Sequence, residues 1–108
     1  MNKVILCGNL GSKPELKYSA SGTAVCIMSL ATSKKYKNDE GEKKETVQWH
    51  RLVSFARLAE VCAEYLNKGS QVLVSGELVY NKFQDSDGNN RWSTEIIISE
   101  MKMLDKKQ

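Results

Sequence analysis

The sequence predicts an all-β domain with one helix: a five-stranded Greek-key barrel with the helix between strands 3 and 4. Two observations carry this. Apolar runs of strand length recur along the chain, divided by Gly, Asn and Asp turn signals. One segment alone switches to helical spacing. Size agrees. A chain of 108 residues buries about 65% of its extended-chain surface on folding, enough for one modest core.

Each element has its own signal. Lys3 to Asn9 is a Val-Ile-Leu-Cys strand closed by the Gly8-Asn9-Leu10-Gly11 turn. Gly22 to Tyr36 is a long strand with Ala24, Cys26, Met28 and Leu30 on one face. Its other face, Val25, Ile27, Ser29 and Ala31, is also apolar or small, so it is buried on both sides or meets another subunit. Asn38-Asp39-Glu40-Gly41 reverses the chain within a lysine- and acid-rich tip that projects into water. Thr46 to Phe55 then sets Trp49, Arg51, Val53 and Phe55 on one face. Leu58, Val61, Cys62, Tyr65 and Leu66 form one helical stripe, with Tyr65 expected in the core and Gly69 as the residue that ends the helix. Gln71 to Gln84 and Arg91 to Met103 form the last hairpin around Asp85–Asn90, with Phe83 expected opposite Trp92 and Lys82 opposite Ser93. The domain spans residues 1–104, and 105–108 reads as a frayed end.

Several function classes drop out. No apolar run approaches the ~18 residues a membrane span needs, and the N-terminus has no signal-peptide pattern. Cys7, Cys26 and Cys62 are odd in number and scattered, which fits neither a disulfide framework nor a zinc site. His50 is the sole histidine, and no glycine elbow, P-loop or paired-carboxylate motif accompanies it. Asp85-Ser86-Asp87-Gly88 lacks the Gly position and closing Glu of a calcium loop and reads as a turn. No enzyme activity, metal or cofactor is expected. The net charge of +3 is compatible with a polyanion and decides little.

The aromatic residues decide more. Tyr36, Trp49, Phe55, Phe83 and Trp92 all fall on the two predicted hairpins, each within a few residues of a cation: Lys35 and Lys37, Arg51, Arg57, Lys82, Arg91. Cations that follow phosphates beside flat rings that stack on bases are the chemistry of single-stranded nucleic-acid binding. Taken singly, each ring on a strand is more often a core residue than a binding platform. The order β-β-β-α-β-β is that of an OB-fold, whose strands two and three and adjoining loops bind oligonucleotides or oligosaccharides.

Along nearly its whole length the sequence resembles the bacterial-type single-stranded DNA-binding protein family. The resemblance rests on Asn2-Lys3-Val4-Ile5-Leu6 with Gly8-Asn9-Leu10-Gly11, Ser21-Gly22-Thr23-Ala24-Val25, Leu30-Ala31-Thr32-Ser33 and Trp49-His50-Arg51. It continues through Leu58-Ala59-Glu60-Val61, Glu64 to Val72, Asp87-Gly88, Thr94-Glu95-Ile96 and Met101 to Leu104. The resemblance implies an OB-fold homotetramer that wraps single-stranded DNA without strong sequence preference, in replication, recombination and repair. It places stacking on Tyr36, Trp49, Phe55 and Phe83, with Tyr36 and Phe83 smaller than the usual tryptophan, and basic contacts on Lys17, Lys44, Arg51, Arg57, Lys68, Lys82 and Arg91. Trp92 stands where a tyrosine is usual and is counted with the DNA-binding residues, while core and interface roles stay open. His50 matches a histidine of the subunit interface. The resemblance also implies a flexible tail with an acidic tip that recruits replication and repair proteins. The chain ends at Asp105-Lys106-Lys107-Gln108, so those partners are expected only if the full-length product carries such a tail. A cytoplasmic protein is expected, nucleoid-associated or of phage or plasmid origin. The alternatives are a primosomal OB-fold dimer and an OB-type protein-interaction scaffold.

Overall fold

In the computed structural model, which describes residues 1–104, the elements run β1 (Val4–Leu10), β2 (Glu15–Tyr18), β3 (Ala24–Lys37), β4 (Lys43–Phe55), α1 (Ala56–Tyr65), β5 (Gln71–Gln84) and β6 (Asn90–Met103). The frayed end expected over 105–108 lies outside the described residues. Five strands close a barrel in the order β1-β5-β6-β4-β3, and β3 returns to β1 through Asn9↔Ala31 and Leu10↔Leu30. All ladders are antiparallel except β4–β6, which is parallel and holds only Leu52↔Ile96 and Val53↔Ile97. The helix lies between β4 and β5, the third and fourth strands of the barrel. Strand β2 is an addition to the expected five. It pairs with Ala24–Ile27 along the edge of β3 that β1 leaves free.

The alternation in β3 explains the core. Ala24, Cys26, Met28 and Leu30 point inward and are fully buried, joined by Leu52, Val72, Val74, Ile96 and Ile98 from the other strands. Ala59, Cys62 and Leu66 of the helical segment plug one end. Each fully buried Leu, Val or Met contributes about 1.5–3 kcal/mol. At Ser75/Gly76 the β5–β6 register shifts, with Ser75 opposite Glu100 and Gly76 opposite Ile98. Here β6 bulges toward β5. A Cβ on Gly76 would lie 2.1 Å from the Ile97 carbonyl oxygen, so only glycine fits.

Three expectations need correction. The helix ends at Tyr65, and Gly69 does not terminate it. Gly69 (φ +90°) is the third residue of an Asn67–Ser70 turn, and its N–H donates to the Leu10 carbonyl at 2.8 Å. Tyr65 is exposed, because the barrel mouth covers only the Ala59–Cys62–Leu66 side of the helix. The last hairpin pairs Lys82 with Trp92 and Phe83 with Arg91, one residue off the expected register. Asn90 joins the strand and leaves a five-residue loop, Asp85–Asn89. The Asp85 N–H donates to the Asn89 carbonyl, while the Asp85 carboxylate accepts from the N–H groups of Asp87 and Asn89.

The two long hairpins project from the barrel. The radius of gyration is 16.1 Å, against about 13 Å for a compact domain of this length. The accessible surface is 7911 Å², against about 6,100 Å² for a compact monomer.

Candidate nucleic-acid interface

Period-2 geometry sorts the hairpin side chains onto two faces. Trp49, Arg51, Val53 and Phe55 of β4 share one face, as the alternation predicted, and stand opposite Ala31, Ser29, Ile27 and Val25 of β3; the row faces out from the barrel, with Val53 itself buried. Lys17 on β2 pairs with Val25 and so lies in the same row as Phe55, forming an ion pair with Glu15 at 3.3 Å. Trp49 is 62% exposed, and Phe55 is also exposed. A cleft of about 300 Å³ runs beside Trp49 and Arg51, lined further by Ser12, Lys13, Glu15 and Ser29.

The Trp49 ring rests on backbone. A Cβ on Gly11 would lie 2.3 Å from Cζ3 and 2.7 Å from Cη2 of the indole, so glycine is what admits the ring there. The turn carrying Lys68 is tied to Leu10, the residue before Gly11. This support was not legible in the sequence, where Gly11 reads only as a turn residue.

Arg51 Nε donates to Glu95 Oε2 at 2.5 Å, and Asn81 Nδ2 donates to Glu95 Oε1. The carboxylate is 17% exposed and bridges β4, β5 and β6. Arg51 thus has one edge of its guanidinium occupied, while its terminal nitrogens have no hydrogen-bond partner among the described residues. Asn81 and Phe83 are two residues apart on β5 and share a face, with Arg91 opposite Phe83. The outer surface therefore carries one track, from Phe55 and Trp49 through Arg51–Glu95–Asn81 to Phe83 and Arg91. Arg91 Nε donates to Asp85 Oδ2 at 2.9 Å, and this bond, with the turn N–H groups, holds the Asp85 carboxyl below its ordinary range.

The remaining candidates lie elsewhere. Tyr36 pairs with Lys44 and belongs to the inward-facing row of its hairpin, beside Lys34 and Thr46, with Lys44 in an ion pair with Glu42 at 3.5 Å. Lys82 and Trp92 occupy the inward row of the other hairpin, with Lys82 Nζ 5.9 Å from the Trp92 ring centroid. Arg57 is exposed on the first turn of α1. His50 is half-buried and hydrogen-bonded to Thr32 Oγ1 through Nε2 at 2.8 Å. Tyr18 and Tyr80, both exposed, were not singled out by sequence. The cation rule would have flagged each, since Tyr18 follows Lys17 and Tyr80 precedes Lys82 by two. Among the described residues no His/Cys/Asp/Glu group could hold a metal ion, and no helix is long and apolar enough to cross a membrane.

A closed five-stranded barrel with its helix between the third and fourth strands is an OB-fold, here with exposed rings and cations on its hairpins. The family model described as the single-strand binding protein family matches residues 1–104, and the chain belongs to that family. It is 50% identical over 104 residues to a single-stranded DNA-binding protein of Xanthomonas campestris pv. campestris, covering 96% of this chain and 60% of that one. A Xanthomonas axonopodis pv. citri protein of the same description is 49% identical, with 96% and 58% covered. The chain thus spans about 60% of the length of these relatives. Among solved structures, a Plasmodium falciparum SSB in complex with ssDNA superposes with a TM-score of 0.90 at 33% identity, covering 97% of this chain and 96% of that one. A deletion mutant of the single-stranded DNA-binding protein from Thermus aquaticus gives 0.85 at 25% identity, covering 97% and 51%.

Proposed function

We propose that the protein binds and protects single-stranded DNA without strong sequence preference, as a non-catalytic component of replication, recombination and repair. The outer track carries the reading: Trp49, Phe55 and Phe83 stack bases, and Lys17, Arg51 and Arg91 follow phosphates, with Arg57 on α1 and Lys68 on the Asn67–Ser70 turn adding phosphate contacts beside it. Tyr36 and Lys44 extend the contact along the first hairpin, and Lys82 and Trp92 along the second. A stacked base is worth about 1–3 kcal/mol and needs no particular sequence. The relatives named for single-stranded DNA binding support the reading. Tryptophan emission should fall on adding oligo-dT and stay constant with duplex. Trp49→Ala should weaken oligo-dT binding at least fivefold, whereas Tyr65→Phe should leave it unchanged; equal losses would refute the track.

The working form is a homotetramer. Ile5, Cys7 and Leu73 are exposed on one outward face of β1–β5, and the accessible surface exceeds the compact-monomer value by about 1,800 Å². His50 belongs to the subunit contact in this reading. Light scattering tests it: a dimer points to the primosomal alternative, and tetramers without DNA-induced quenching point to a protein scaffold. Replication and repair proteins join as partners where the full-length product carries an acidic tail. Its place is the cytoplasm, in contact with the nucleoid or with a phage or plasmid replicon.

A further inference from the structure

The register of the β5–β6 hairpin places Phe83 and Trp92 on opposite faces. Phe83 and Arg91 belong to the outer track. Tyr80, Lys82 and Trp92 occupy the other side, immediately beyond Leu78 and Ile96, the last apolar side chains of the barrel on that row. Tyr80 is 63% exposed and Trp92 66% exposed. Neither ring is needed by the core.

We propose that this hairpin holds single-stranded DNA on both faces, with Tyr80, Lys82 and Trp92 forming a second stacking site opposite Phe83. The proposal rests on the single-stranded DNA reading and extends it to a surface that the outer track does not reach. Three features select this occupant. Lys82 stands directly opposite Trp92 with its ammonium over the ring, and Tyr80 lies diagonally across, so two flat rings flank one cation. That set matches a base, a phosphate and a second base. The path between the faces is open. β1 runs beside β5 only as far as Asn2, whose side chain donates to the Leu78 carbonyl and accepts from the Leu78 N–H. Beyond that clamp the outer edge of β5 has no strand partner among the described residues, and the hairpin is a single layer. Charge also fixes the route. Asp85 and Asp87 make the tip acidic, while Lys82 marks the β5 edge, so a strand leaving Phe83 rounds that edge and avoids the turn.

The chain has only two tryptophans, which makes the test direct. In Trp49→Phe, Trp92 is the sole indole reporter. Its emission is followed while a short oligo-dT, sufficient for the outer track, and one several nucleotides longer are added. Anisotropy of fluorescein-labelled DNA reports binding in parallel. The long oligonucleotide should quench Trp92 and the short one should not. In the otherwise unaltered chain, Tyr80→Ala should lower the ratio of long to short affinity about fivefold, the lower end of one lost stacking contact. Constant Trp92 emission while anisotropy shows the long strand bound overturns the proposal, as does an unchanged ratio in Tyr80→Ala. Trp92 emission that shifts with protein concentration before DNA is added assigns the face to a second copy of the chain and also overturns it. Loss of all anisotropy change in the unaltered chain would instead refute single-stranded DNA binding itself.

Discussion

Replacing Gly11 by Ala should disable Trp49 without touching it. The new Cβ would lie 2.3 Å from Cζ3 of the indole, where carbon atoms in contact prefer about 3.5–4.0 Å. The ring must therefore move outward by about 1–1.5 Å. The fold should tolerate this, because Gly11 does not lie in the left-handed region and the displaced ring is already 62% exposed. Stability should fall by less than about 1 kcal/mol. Binding should suffer more. If the shift removes about 1–2 kcal/mol of the stacking term, oligo-dT affinity falls roughly 5- to 30-fold. Labelled oligo-dT titrations give the affinity and urea denaturation the stability. In a Trp49→Ala background the Gly11 substitution should cost almost nothing further, since both act on one contact. Additive losses, or full affinity in Gly11→Ala, would refute the account of Gly11 as the floor under the ring.

Other expectations concern charge, backbone and thiols. Glu95→Gln frees the charge of Arg51, so the slope of log K against log salt should steepen by up to about 0.7, one phosphate's worth; an unchanged slope would show that Arg51 meets no phosphate. Ala56 has φ 56° at the start of α1, a region costing a non-glycine residue about 1–2 kcal/mol. Ala56→Gly should therefore stabilise the fold by about 0.5–1 kcal/mol net of glycine's entropy, read as a higher urea midpoint. A thiol reagent should leave Cys26 and Cys62 unmodified in the native protein and reach both after unfolding. Burial, then the neighbouring Cys62, pushes the Cys26 thiol up to about 11, and burial also raises Cys62. The stability linked to these raised values is complete below the unfolded thiol value of about 8.5. It is lost as pH rises through about 11, so the urea midpoint should decline across that window.

Much of the molecule was legible because alternation survives folding. The inward row of β3 and the outward row Trp49–Arg51–Val53–Phe55 stand as the spacing says they must. What failed had local causes. Strand β2 has four residues with Leu16 alone packed on the core, too few to show a period. Loop length decided the last hairpin: with Asn90 in the strand, every pairing from Gln84 to Gly76 moves by one residue, which separates Phe83 from Trp92, and the bulge at Ser75/Gly76 then restores the expected register. Tyr65 fits the helical stripe but lies past the ring of strands that would cover it. Arg51 was legible as a cation near a ring. Glu95, 44 residues further along the chain, becomes its neighbour only once the barrel closes.

That closure has a mechanical side. Between β4 and β6 just two residue pairs form the seam, whereas the neighbouring ladders run the length of the hairpins. The projecting hairpins belong to opposite sides of this seam, and the Arg51–Glu95 bond crosses it. The spacing between Trp49 and Phe83 is therefore set at one of the barrel's two thin seams, β1–β3 being the other. A strand drawn across both hairpins pulls on the joint that separates them, and Arg51–Glu95 acts as its latch. Amide exchange at Leu52, Val53, Ile96 and Ile97 would read the strain directly.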